Sequence, residues 1–151
     1  MKLSKNFTLA EMFKSATADR LGIDNTTDNH VIISNLKSLV DNVWQPVRDQ
    51  FGPVVINSAY RSLELNRALK SEDTSQHILG QAIDGEALRA GNYEVAAWIR
   101  DNLEFDQLIL EFYDPAKGAR SGWVHCSYVE GNNRNEVLTI NSNGIFTGLL
   151  N

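Results

Sequence analysis

The stretch "NHVIISNLKSLVDNVWQPVRDQFGPVVINS", residues 29–58, constrains the fold more than any other. Ile32, Leu36, Leu39, Val40, Val43, Trp44 and Val47 recur at steps of three and four, the stripe of a long amphipathic helix with one face toward a core. Pro46 lacks an N–H and its ring collides with the carbonyl four residues back, so the helix is expected to kink or shorten there. Gly52-Pro53 stops it. The β-branched cluster that follows predicts a short buried strand ending near Ser58.

Further along, "QAIDGEAL", "FDQLILEFY" and "GWVHCSYV" read as strands, and "NYEVAAWIRDNL" as a helix with Val95, Ala96, Trp98 and Ile99 inward. "LELNRALKSE" reads as one or two helical turns, and a short helix is expected over 8–15 with Thr8 or Ser4 as its cap. A last hairpin, "EVLTINSNGIFTGL", is expected to turn at Asn143-Gly144. Helices first and a meander later predict an α+β fold, a small antiparallel sheet with packed helices, in a single domain over residues 1–151.

Composition narrows the function classes. The chain has 151 residues, 42% apolar and 22% charged, enough to bury a core without staples. No apolar run approaches the ~18 residues a membrane span needs. The N-terminus "MKLSKNFTLAEMF" lacks a continuous apolar core, so no secretory signal is expected and synthesis is placed in the cytoplasm. One cysteine, Cys126, precludes an internal disulfide. A net charge of −5 argues against nucleic-acid binding, which needs a basic face. A monomer is the expected state.

Chemistry concentrates in "TSQHILGQAID". His77 and Asp84 can offer two ligands to one zinc ion if the chain turns between them, and Gly80 permits the turn. Ala82 shares the face of Asp84 and is small enough to leave room beside a metal. In "GWVHCSY", alternation puts Trp123, His125 and Ser127 on one face and Val124 and Cys126 on the other. His125 is thus the candidate third ligand, and Cys126 a buried thiol. Glu111, an acid inside the apolar run "LILEF", is a candidate general base, because a carboxylate there is costly unless it is used. Arg61 in "SAYRS" can bind a substrate carboxylate or a developing oxyanion. Tyr60, Ser75 and Gln76 are candidates for the cleft lining, and Trp123 for cleft wall or core. Each residue alone has a plainer reading: His77 in an exposed loop, His125 in a core, Arg61 paired with Glu64, Glu111 paired with Lys117 or Arg120. His30 has no companion motif, and Trp44 and Trp98 fall at core spacing.

Three motifs in order resemble the M15 zinc peptidases, the group of D-alanyl-D-alanine carboxypeptidases, L-alanyl-D-glutamate endopeptidases and phage endolysins. "SQHILGQAID" matches S-x-H-x-x-G-x-A-x-D, "GWVHCS" resembles the W-x-H segment, and "INSAYRS" resembles S-G-Y-R-S with Ala59 in place of the glycine. "FTLAEMFKSATADRLGIDN" is similar to the N-terminal segment of the small phage and prophage branch. The resemblance implies one zinc on His77, Asp84 and His125, a substrate-binding Arg61, and a fold shared with the zinc domain of hedgehog signalling proteins. It implies peptidoglycan stem peptides as substrate and action from the periplasmic side of the wall after release.

Two departures stand out. Some members carry the catalytic acid three residues before the last histidine, where this chain has Gly122, which leaves Glu111 as the base. The Gly-rich stretch that often precedes S-x-H is here "SEDT", so the cleft rim and the preferred bond are expected to differ. The competing function is a zinc-stabilised binding or virion structural module of the same fold without turnover.

Overall fold

The computed structural model describes residues 1–151. It has six α-helices, four of them before the first strand, and six strands, the last four without an α-helix between them. The helices are α1 (Leu9–Phe13), α2 (Ala16–Leu21), α3 (His30–Leu39), α4 (Gln45–Phe51), α5 (Leu63–Ala68) and α6 (Asn92–Asn102). The strands are β1 (Val54–Ser58), β2 (Ala82–Ala87), β3 (Gln107–Glu111), β4 (Trp123–Ser127), β5 (Glu136–Asn141) and β6 (Gly144–Thr147).

Thr8 caps α1 by accepting from the Glu11 N–H. The helix ends at Phe13, short of the expected residue 15, because Ser15 accepts from the Ala18 N–H and starts α2. The long amphipathic segment begins as read, with Asn29 accepting from the Val31 and Ile32 N–H groups. Pro46 does not end it, for the helical backbone runs on to Phe51. The backbone widens into a π turn over Val40–Trp44, the Gln45 N–H reaches back to the Val40 carbonyl, and Pro46 falls in the first turn of α4. A proline is harmless there, since its missing donor is one the first turn does not use. Leu36, Leu39, Val40, Val43, Trp44 and Val47 are all fully buried. Each such side chain contributes roughly 1.5–3 kcal/mol. That outweighs the weak helix propensity of the β-branched members.

The sheet order is β1-β2-β4-β3-β5-β6. The expected antiparallel sheet is a mixed one, because β5 runs parallel to β3. After the β3–β4 hairpin, residues 128–135 cross the start of β3, where the Asp106 carbonyl accepts from Glu136 and the Phe105 carbonyl from Asn135. A chain that re-enters the sheet at the start of β3 can only run alongside it in the same direction. The final hairpin pairs Asn141 with Gly144, so its turn residues are Ser142 and Asn143, one position earlier than expected. The Asn141 carboxamide sets this register by accepting from the Asn143 N–H.

One face of the sheet, carrying Ile83, Ala87, Leu108, Leu110, Val124 and Cys126, packs with the helices in a common core. The opposite face of β2, β3 and β4 carries the functional candidates. No helix is long and apolar enough to cross a membrane.

Candidate metal centre

The β2–β4 register sets Asp84 directly opposite His125. Opposed residues of an antiparallel pair project to the same side. Asp84 Oδ1 and His125 Nδ1 are accordingly 2.8 Å apart. His77 arrives from the turns that precede β2, with Gly80 at φ +69° completing the reversal. Its Nε2 lies 3.3 Å from Asp84 Oδ2. The three donor atoms fall within 4.8 Å of one another.

His77 is 3% exposed, so it is not an exposed loop residue, and the His125 side chain, 12% exposed, lines the cleft. The His77 ring is oriented by backbone. Its Nδ1 is 2.6 Å from the Ala59 carbonyl oxygen. A carbonyl only accepts, so Nδ1 carries the proton and Nε2 turns its lone pair toward Asp84. The Arg61 N–H donates to the His77 carbonyl at 3.1 Å, so two bonds tie the 59–61 segment to His77.

Charge completes the fit to a cation. Burial pushes the Asp84 carboxyl up, but the His125 and His77 rings in contact with it outweigh that and hold the group well below the usual carboxylate range. Burial lowers His77 against the pull of Asp84, favouring the neutral ring. Two imidazoles and a carboxylate, one ring fixed by a carbonyl behind it, are a donor set that could hold a metal ion.

The cleft over this group is lined by Arg61, Ser71, Ser75, Glu111 and Trp123 together with the three donors. Glu111 pairs with Trp123 across the β3–β4 ladder. Burial and the nearby Asp84 charge raise its carboxyl above the ordinary value, while His125, Trp123 and Arg61 pull the other way. The buried Trp123 indole N–H beside it has no hydrogen-bond partner. Lys117 and Arg120 are exposed and absent from the cleft wall. Arg61 is the cation that lines it, with Nη2 3.7 Å from Asp84 Oδ2 and further bonds to Ser58 Oγ and Asn66 Oδ1. Burial lowers the Arg61 guanidinium, and Asp84 and Glu111 oppose that.

Gly122 has a structural reason to be glycine. Its φ is +65°, and a Cβ there would lie 2.0 Å from the Glu111 carbonyl oxygen. The position that carries the acid in some M15 enzymes has no room for a side chain here.

Two residues from the sequence reading sit elsewhere. Tyr60 is in the core, edge-on to Phe13 at 5.8 Å, outside the cleft lining. Gln76 donates to Asp106 at 2.9 Å and lines the adjoining chamber. Cys126 is in the core, and burial pushes its thiol up, away from the reactive thiolate. Asn25 went unnoticed in the sequence. Buried, it donates to the Phe13 and Tyr60 carbonyls and accepts from the Ser62 N–H at 2.7 Å, clamping the segment that carries Ala59 and Arg61. An asparagine in "GIDNTT" reads as loop, and only the fold shows what it holds.

The family model described as Peptidase M15 matches residues 5–127, a span that contains every donor and Glu111. The chain belongs to the M15 peptidase family. A comparison with curated proteins gives no match. M15 peptidases are in general zinc-dependent, and the His77–Asp84–His125 group of this M15 peptidase can hold such an ion.

Proposed function

We propose that this chain is a zinc-dependent peptidase that hydrolyses a bond in peptidoglycan stem peptides. The observation that carries the reading is the placement of Glu111 in the same cleft as three converging metal donors. His77 Nε2, the Asp84 carboxylate and His125 Nδ1 would hold the metal. A zinc ion bound there supplies a Lewis acid for the scissile carbonyl and makes a water acidic near neutral pH.

The chain's own residues do the rest. Glu111 takes a proton from the attacking water and returns it to the departing amine. Burial raises its carboxyl, which makes it a stronger base than an ordinary glutamate. Arg61 holds a substrate carboxylate or the oxygen on which charge develops. Trp123 and Ser75 wall the reacting group. Without turnover, nothing would require a desolvated, unpaired acid beside the donors, so the inert binding-module reading is the weaker one.

The likeness of the N-terminal segment to the small phage branch supports an endolysin, made in the cytoplasm and acting on the wall from the periplasmic side. The helices on one sheet face and the site on the other support a hedgehog/DD-peptidase-like fold in a single domain, and a monomer is proposed. Digestion of purified Gram-negative sacculi, with and without a zinc chelator and read by mass spectrometry, tests the function. Chelator-sensitive release of stem-peptide fragments is expected. Intact sacculi from zinc-loaded protein would refute the wall substrate.

A further inference from the structure

The cleft does not end at His125. Ser71, Ser75 and His125 line it and also line a second chamber of about 560 Å³. That volume lies within the ~300–1,000 Å³ usual for small-ligand sites. Ile109 and Ile140 form an apolar floor, Gln107 adds an amide, and Glu72, Thr74 and Arg134 stand around it. Arg134, in the loop before β5, and Ile140, on β5, lie beyond residue 127, where the family match stops, so two of the ten residues around this chamber come from the C-terminal segment outside that match.

The charge of the chamber is decided by which groups are already engaged. Arg134 places Nε 3.0 Å from Asp106 Oδ1 and Nη2 2.8 Å from Oδ2, with Nη1 4.0 Å from Glu136 Oε1. Asp106 is 3% exposed and also holds Gln76, so this wall is rigid and its cation is matched. Glu72 differs. Its backbone carbonyl accepts from Asn66 and Ser75, but its carboxylate is exposed with no hydrogen bond or ion pair. The uncompensated charge facing the chamber is therefore negative. Arg61, the cation suited to a terminal carboxylate, lines the first chamber and not the second.

We propose that the second chamber is a substrate subsite that opens the cleft on both sides of the scissile bond, and that Glu72 selects there a residue with an ammonium side chain. The enzyme is then an endopeptidase. This rests on the peptidase reading above. The substituted rim "SEDT" is the element that supplies the selectivity.

The probe is a synthetic stem peptide with a free amine on its diamino residue, compared with the same peptide acetylated at that amine. Calorimetry measures binding to the zinc-loaded Glu111→Gln protein, with and without Glu72→Gln. Acetylation is expected to weaken binding about fivefold, the value of a partly exposed ion pair. Glu72→Gln is expected to cause the same loss for the free-amine peptide and none for the acetylated one, because coupled losses do not add. Equal binding of both peptides to protein retaining Glu72, additive losses, or no binding overturns the subsite. Cleavage by the zinc-loaded wild type is expected at an internal bond, and release of only a single C-terminal residue overturns the two-sided cleft. Glu72-dependent binding without any cleavage refutes the peptidase reading and leaves the subsite standing.

Discussion

His77 Nδ1 lies 2.6 Å from the carbonyl oxygen of Ala59, and this contact aims the other ring nitrogen at Asp84. The orientation of a candidate metal donor is thus set by backbone that lies eighteen residues earlier in the chain. That backbone is in turn held by Asn25, which bonds to Tyr60 and Ser62 on either side of Arg61.

Asn25→Ala should therefore weaken more than packing. Three backbone groups lose their partner, at about 1 kcal/mol or more each, so a cost of about 3 kcal/mol is expected in urea unfolding. Zinc affinity should fall with it, because the Ala59 carbonyl is no longer fixed. Unchanged stability would show that water replaces the clamp.

Asp84→Ala should lower zinc affinity on the order of 100-fold or more and remove the stabilisation that metal binding adds. Chelation should lower the Tm of the wild type and leave that of the variant unmoved. Full zinc occupancy in the variant, measured by atomic emission, would remove Asp84 from the donor set.

Gly122→Ala should destabilise by about 3 kcal/mol or more, since a left-handed backbone and a backbone oxygen both oppose the added carbon. For the same reason, Gly122→Glu should fail to restore activity to Glu111→Gln. Thermal unfolding and a paired activity assay read both outcomes.

Asp106 predicts a pH dependence. Hydrogen bonds from Arg134 hold its carboxyl below the usual range, against the opposing effect of burial. A depressed carboxyl stabilises the fold fully above its unfolded pKa, ~3.9, and loses that stabilisation as pH falls through the lower folded value. Asp106→Asn should thus cost stability at pH 7 and progressively less below about pH 4. A cost independent of pH would mean that the charge is irrelevant to the pairing.

The site was legible where local periodicity determines direction. Alternation along "WVHCS" separates His125 from Cys126, and the structure puts Cys126 in the core and His125 in the cleft. What escaped depends on long-range geometry. Pro46 is a break signal, yet a π turn moves it into the first turn of a new helix. Strand periodicity carries no information about partners, so the crossover that sets β5 parallel to β3 had no signature. The Ala59 carbonyl is a backbone group, invisible to any motif of side chains.

The central claim is that Glu111 serves as base beside a metal held by His77, Asp84 and His125. The most direct test is the turnover of zinc-loaded Glu111→Gln on the stem-peptide bond cut by the wild type. The account predicts full zinc content and a loss of kcat of roughly 100-fold to 10,000-fold. Turnover within a few-fold of wild type would contradict it and take Glu111 out of the chemistry.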